Sequence, residues 1–156
     1  MKDAIIQILM GYLGSLGFNI LFNIRGRKLF IASLGGLISW TVFLLLEPLF
    51  PGEPIRFFFA AAAVTVYGEV FARIEKTPTT TFLVPSVIPL IPGGSLYYTM
   101  NHGLNKQWGD FSHRGFYTLQ LALSLAVGII AVTTLVRLLT LAGKKLRKAE
   151  IFSHFH

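Results

Sequence analysis

The chain has 156 residues, of which 53% are apolar and 13% charged, and its mean hydropathy is +0.63. Soluble domains carry about 25% charged residues, so this composition excludes an ordinary soluble domain and indicates an integral membrane protein. The net charge of +7 does not indicate nucleic-acid binding, because the basic residues lie in short clusters between apolar runs, and the absence of cysteine excludes disulfides and cysteine-based metal sites.

Five apolar runs are long enough to cross a hydrocarbon core, which takes about 20 helical residues. They lie at 4–23, 29–46, 55–72, 81–100 and 116–142. Short polar or proline-rich connections separate them, as at 47–54. The sequence therefore predicts an all-α protein with a single transmembrane domain over 1–156, which ends in a basic tail at 143–156.

The distribution of basic residues predicts the orientation. With five spans, nine basic residues fall on one side and four on the other. The nine are Arg25, Arg27, Lys28, Arg73, Lys76, Lys144, Lys145, Arg147 and Lys148; the four are Lys2, Arg56, Lys106 and Arg114. The N-terminus is therefore predicted outside and the C-terminus in the cytoplasm. A merely re-entrant fourth segment would move the Lys144–Lys148 cluster outside, so five spans fit the rule better.

The fourth run is interrupted by prolines at Pro85, Pro89 and Pro92, which share one face because they are spaced four and three apart. Each proline removes an amide donor and clashes with the carbonyl four residues earlier, so the helix is expected to break. The carbonyls concerned belong to Thr81, Pro85 and Ile88, and the sequence predicts that they lack helical partners.

Gly93 and Gly94 follow the prolines and allow an unwound turn, after which Ser95 is expected to cap a second half-helix. The amides that open such a half-helix carry partial positive charge and suit a carboxylate. Discontinuous helices of transporters bind anionic groups in this way. The alternative is a proline kink that only shapes packing.

Glu69 is predicted inside the third span, where a carboxylate is a candidate functional group. Ala61, Thr65, Gly68 and Ala72 recur beside it at helical spacing and predict close approach of another helix. Two interpretations of Glu69 remain open: a proton-coupling group whose pKa is raised by desolvation, or one half of an ion pair with Arg73.

Arg73, Lys76, Thr80 and Thr81 are predicted at the cytoplasmic entrance to the broken segment. They are candidates for gathering an anionic substrate and replacing part of its hydration. The alternative for the two basic residues is simple anchoring on the cytoplasmic side.

Tyr97 and Tyr98 fall near the predicted outer boundary. Aromatic residues at this depth are typical of an interfacial belt, and the two tyrosines are also candidates for an outer gate.

His102, Asp110 and His113 fall in the longest polar interval, 101–114, which is predicted to be a solvated outer loop without a metal site. No helical H-E-x-x-H pattern, nucleophile elbow or phosphate-cradling loop occurs in the sequence. We therefore expect no enzymatic activity, no metal and no cofactor.

Two stretches, 69–100 (EVFARIEKTPTTTFLVPSVIPLIPGGSLYYTM) and 22–29 (FNIRGRKL), resemble the threonine/serine exporter family, and in particular the short five-helix subunit of split exporters. The positions that match the family motif are Arg73, Lys76, Thr77, Pro78, Pro85, Pro89, Pro92 and Gly93. Single-chain members carry a hydrophilic N-terminal domain and ten spans, and this chain is similar to the second five. The resemblance implies a bacterial inner-membrane location and a larger partner subunit that supplies a cytoplasmic N-terminal domain and five further spans.

An odd number of spans also suits one half of an inverted-topology transporter. The leading hypothesis is a subunit of a secondary exporter of threonine and serine. Related small subunits are associated with succinate export, so dicarboxylate export is the first alternative. The second is a structural membrane subunit that transports nothing.

Overall fold

The computed structural model describes residues 2–153, with side chains described for residues 2–142. These residues form α-helices and one 3₁₀ turn, which confirms the all-α prediction. The elements are α1 (Lys2–Leu21), α2 (Arg27–Leu45), α3 (Glu53–Ile74), α4 (Thr80–Val87), the 3₁₀ turn Ile88–Leu90, α5 (Gly93–Leu104) and α6 (Trp108–Ser153). The side chains of the predicted basic tail at 143–156, including Lys144, Lys145, Arg147 and Lys148, lie outside the described residues.

Within residues 2–153, four helices are long and apolar enough to cross a membrane: α1, α2, α3 and the first 35 residues of α6. The pair formed by 80–90 and Gly93–Leu104 also passes this test when taken together, and its two parts are bent by 54°. The number of helices suited to spanning a membrane is therefore four, or five if the bent pair counts as one.

The helix boundaries follow local chemistry. Gly26 precedes α2 with a φ of 67°, a conformation that costs glycine little. Glu53 and Pro54 open α3, where an acidic residue complements the helix dipole and proline loses no helical hydrogen bond. Asn23, the last residue of the predicted first span at 4–23, lies beyond the end of α1 with a φ of 58°.

The prediction that residues 101–114 form an outer loop is wrong for most of these residues. α5 continues to Leu104 and α6 begins at Trp108, so only three residues connect the two helices. The side chains that polar composition assigned to a solvated loop are therefore held on two helices.

Packing places α2 at the centre, in contact with α1, α3 and α4, while α6 runs along α3 and α5. The contacts depend on small residues, as is usual between membrane helices. A Cβ added at Gly36 would lie 1.8 Å from Ser15 Oγ, and one added at Gly128 would lie 2.6 Å from the Phe58 carbonyl oxygen. These close approaches fix α2 against α1 and α6 against α3.

The small face predicted on α3 is confirmed. Its members, Ala61, Thr65, Gly68 and Ala72, are all buried. Gly68 approaches Leu83 of α4, and Ala61 approaches Gly128 of α6. Two helices therefore pack against this face, α4 at Gly68 and α6 at Ala61.

Candidate functional site

The break between α4 and α5 is the most irregular part of the described chain. Pro85 lies inside α4, Pro89 lies in the 3₁₀ turn and Pro92 is the N-cap of α5. Proline has no amide hydrogen, so the helical hydrogen-bond ladder is interrupted repeatedly within a few residues. The result is the 54° bend between the two helical parts.

The carbonyls freed by this break are largely satisfied by protein. Ser15 of α1 is fully buried and donates a hydrogen bond of 2.8 Å to the Pro85 carbonyl. The Ile88 carbonyl accepts from the Ile91 amide at 3.1 Å. The prediction that these two carbonyls lack partners is therefore wrong, because a neighbouring helix and the 3₁₀ turn supply donors.

Unlike the Pro85 and Ile88 carbonyls, two of the backbone amides at the start of α5 have no hydrogen-bond partner in the part of the chain that the structure describes. The Gly93 amide donates to Ile91 and the Leu96 amide to Pro92, but within the described residues the amides of Gly94 and Ser95 have no hydrogen-bond acceptor. Both glycines are exposed, and a Cβ added to either would meet no atom within 4 Å. The break therefore presents two free donors beside open space.

The prediction that Gly93 and Gly94 form an unwound turn and that Ser95 caps the next helix is wrong, because Gly93 and Gly94 are already the first two residues of α5. The N-cap is Pro92, and no side chain caps the helix. The Ser95 hydroxyl instead pairs with Thr118 of α6 at 2.7 Å, and Thr99 lies 3.1 Å from the same Thr118 oxygen. These hydroxyls hold the first turns of α5 against α6.

Gly94 and Ser95 line a cavity of about 850 Å³, which we call the Glu53 cavity. Its other walls come from α3, α5 and α6 and carry charged and aromatic side chains. The principal ones are Glu53, Tyr98, His102, Asp110, Arg114 and Tyr117. The free amides of the break thus share one space with two carboxylates and a guanidinium.

Two contacts organise this cavity. The Tyr117 hydroxyl donates a hydrogen bond of 2.5 Å to Glu53 Oε2. The Arg114 guanidinium carbon lies 5.7 Å from the centre of the Tyr98 ring, within the range of a cation–π contact. The carboxylate and the guanidinium are therefore each held by a tyrosine.

His102, Asp110 and His113, which the sequence assigned to a solvated loop, all line the Glu53 cavity. His102 Nδ1 lies 2.6 Å from Gln107 Oε1 in the turn between α5 and α6. Within the described residues, no three histidine, aspartate or glutamate side chains are grouped so that they could hold a metal ion.

Glu69 and Arg73 line a second cleft, of about 420 Å³, between α3 and α6, which we call the Glu69 cleft. Glu69 Oε2 lies 3.9 Å from Arg73 Nη2, and the same Arg73 nitrogen donates to Thr140 Oγ1 at 2.9 Å. Arg137 and Thr133 also line this cleft. The structure therefore contains the ion pair that was one of the two interpretations of Glu69.

The remaining predicted residues lie outside both cavities. Lys76 has a φ of 50° in the α3–α4 turn, Thr80 is exposed at the start of α4, and the Thr81 amide donates to the Pro78 carbonyl at 3.1 Å. Tyr97 is 66% exposed and packs edge-on against Tyr98. The two tyrosines are therefore placed differently, because only Tyr98 lines a cavity.

Sequence reasoning missed Ser15, Glu53, Arg114 and Tyr117. Glu53 carried one usable signal, since an acidic residue directly before a proline is typical of a helix start. Ser15 carried none, because nothing local shows that its hydroxyl meets a carbonyl 70 residues further along the chain.

Apolar helices, one sharply bent helix pair and charged clefts at the helix ends together are typical of a membrane transport domain. The chain belongs to the threonine/serine exporter family: the family model described as Threonine/Serine exporter, ThrE, matches residues 7–135. The match covers the helix break, the whole Glu53 cavity and three residues of the Glu69 cleft (Glu69, Arg73 and Thr133), and it confirms the family that 69–100 suggested. Members of this family are transporters rather than enzymes. No significant match to the chain was found among curated proteins or among solved structures.

Proposed function

We propose that this chain is the transmembrane subunit of a secondary exporter of small carboxylate-bearing metabolites, with threonine and serine as its substrates. The observation that carries the proposal is the helix break at Ile91–Pro92, directly before Gly93 and Gly94. In a chain of the exporter family, two amides without partners open onto a cavity that contains both signs of charge.

In this proposal α4 and α5 cross the membrane together as one broken fourth span. The chain then has five spans, with the N-terminus outside and the C-terminus in the cytoplasm of a bacterial inner membrane. The excess of basic residues on the cytoplasmic side supports this orientation. The Glu53 cavity then faces outward and the Glu69 cleft faces inward.

The substrate carboxylate binds at the free amides of Gly94 and Ser95. Such groups act as an anion site because they are unpaired donors at the positive end of a helix dipole. Pro85, Pro89 and Pro92 keep these amides free by preventing a continuous helix, and Gly93 and Gly94 are the first two residues of the helix that follows the break.

Transport requires a larger partner subunit with a cytoplasmic N-terminal domain and five spans. Its five spans and those of this chain form two inverted halves that rock against each other. Because α3 and α6 pack closely at Gly128, the substrate path is proposed to run outside this helix pair and not between the two helices. Arg73, Lys76, Thr80 and Thr81 collect substrate on the cytoplasmic side, Tyr98 with Tyr97 gates the outer end, and Glu69 carries the coupling proton.

Efflux from proteoliposomes that contain both subunits tests the proposal. Vesicles are loaded with equal concentrations of threonine, serine and succinate, and the loss of each is followed under an imposed pH gradient. Loss of threonine and serine that requires both subunits is the expected result. Selective loss of succinate would favour the dicarboxylate exporter, and no loss of any substrate would favour a structural subunit.

A further inference from the structure

The carboxylate of Glu53 is held in the Glu53 cavity by a hydrogen bond. It lies in the first turn of α3, is partly buried, and is anchored by the Tyr117 hydroxyl at one oxygen. The nearby Arg56 pairs with Glu47 at 3.9 Å. Among the side chains described for residues 2–142, no basic group lies within 4.0 Å of Glu53.

Arg114 presents the opposite charge to the same cavity and is equally without an ion-pair partner. Its guanidinium rests on Tyr98, and over the described side chains no carboxylate lies within 4.0 Å of it. Arg114 and Tyr117 are three residues apart on α6, so they project from the same side of that helix. The two unpaired charges thus border one space without touching each other.

From this arrangement we infer that Glu53 and Arg114 are the specificity-determining residues for the substrate's two charges. Glu53 binds the α-ammonium group, and Arg114 binds the carboxylate together with the Gly94 and Ser95 amides. This inference rests on the proposed export function and deepens it, because it selects zwitterionic α-amino acids over dicarboxylates.

The reason for the selection is electrostatic. A dicarboxylate that placed one end at Arg114 would bring its other end toward Glu53 and Asp110, which both line the cavity. Like charges held close together repel, and such repulsion is an effective means of rejecting the wrong ligand. An ammonium group in the same place gains charge-assisted hydrogen bonds instead.

The test compares ligands that differ in one charge. Binding of threonine and of N-acetylthreonine, which lacks the ammonium group, is measured on the full chain with its partner in nanodiscs. The wild type is expected to prefer threonine by about tenfold or more, as is typical of a charged hydrogen bond. Glu53→Gln retains an acceptor for the Tyr117 hydroxyl and is expected to reduce this preference to near unity.

Asp3→Asn is the matched control, since Asp3 is an exposed carboxylate in the first turn of α1 that does not line the cavity. It is expected to keep the wild-type preference. Arg114→Gln is expected to reduce the preference for threonine over threonine amide, which lacks the carboxylate charge, while the preference over N-acetylthreonine persists.

A wild type that binds threonine and N-acetylthreonine equally well would overturn the inference, and so would a Glu53→Gln variant that keeps the wild-type ratio. The wild-type comparison remains decisive even if the variant does not fold. Threonine binding with this selectivity but without efflux would refute the export proposal, while the inferred roles of Glu53 and Arg114 in binding would still hold.

Discussion

Replacing Ser15 by alanine should destabilise the fold more than replacing Ser39, another fully buried serine, by alanine. Ser15 is fully buried, and its 2.8 Å hydrogen bond serves the Pro85 carbonyl. A continuous helix would satisfy that carbonyl with the amide of residue 89, which is a proline and has none. Ser15→Ala therefore leaves a buried acceptor without a donor.

The expected loss of stability in Ser15→Ala is estimated from two ranges of hydrogen-bond energies. An unsatisfied buried acceptor costs about 1–3 kcal/mol. Hydrogen bonds between membrane helices average about 0.6 kcal/mol and reach about 1.7 kcal/mol, because the unfolded chain in the membrane also finds partners. Since Pro85 has no alternative donor in its own helix, we expect Ser15→Ala to lower the free energy of unfolding by about 1.5 kcal/mol.

Ser39→Ala is the matched control. Ser39 is equally buried, but its hydroxyl bonds the Gly36 carbonyl of its own helix, which can still be satisfied by a helical amide after the substitution. We expect this control to cost about 0.5 kcal/mol or less. Both variants are compared by reversible unfolding in mixed detergent micelles, followed by circular dichroism.

A double-mutant cycle isolates the proposed cause. Pro89→Ala restores an amide that can reach the Pro85 carbonyl, so Ser15→Ala should cost about 1 kcal/mol less in that background. Equal costs for Ser15→Ala and Ser39→Ala, or strictly additive effects of the Ser15 and Pro89 substitutions, would refute the account of the break.

Two further predictions concern α3 and α6. Glu69→Gln should abolish the stimulation of threonine efflux by a pH gradient but leave threonine counterflow intact, since only net proton-driven export needs the carboxyl group. Glu75→Gln is the control. Stimulation that persists in Glu69→Gln would exclude Glu69 as the coupling group. Gly128→Ala should lower the free energy of unfolding by about 1–3 kcal/mol, because its new methyl group would lie 2.6 Å from the Phe58 carbonyl oxygen. Gly109→Ala, where a Cβ meets nothing within 4 Å, should change it by about 0.5 kcal/mol at most, and similar effects at both glycines would argue against tight α3–α6 packing.

The sequence was sufficient for those features that depend on local chemistry. Long apolar runs predicted an all-α membrane protein, and the small residues around Gly68 predicted close helix packing. The residue types at Pro89 and Gly93 were enough to locate the irregular segment. Proline lacks an amide hydrogen and glycine has few steric restrictions, and both properties change the backbone at the residue itself.

Features that depend on contacts between distant segments were not accessible in this way. The hydroxyl that satisfies the Pro85 carbonyl comes from α1, and the cavity beside Gly94 combines residues from three helices. His102 and Asp110 were assigned to a loop because polar composition conceals helical structure at the end of an apolar segment. Their shared cavity became visible only once α5 and α6 were packed together.

The central claim is that the backbone at Gly94 binds substrate in a water-accessible break. The chain contains no cysteine, so Gly94→Cys creates a single thiol at this position, where a side chain meets open space. With the partner subunit present, a membrane-impermeant maleimide should label this thiol, and saturating threonine should slow its labelling several-fold without affecting Gly109→Cys. A Gly94→Cys thiol that water-soluble reagents do not reach, or one whose labelling rate threonine leaves unchanged, would contradict the claim.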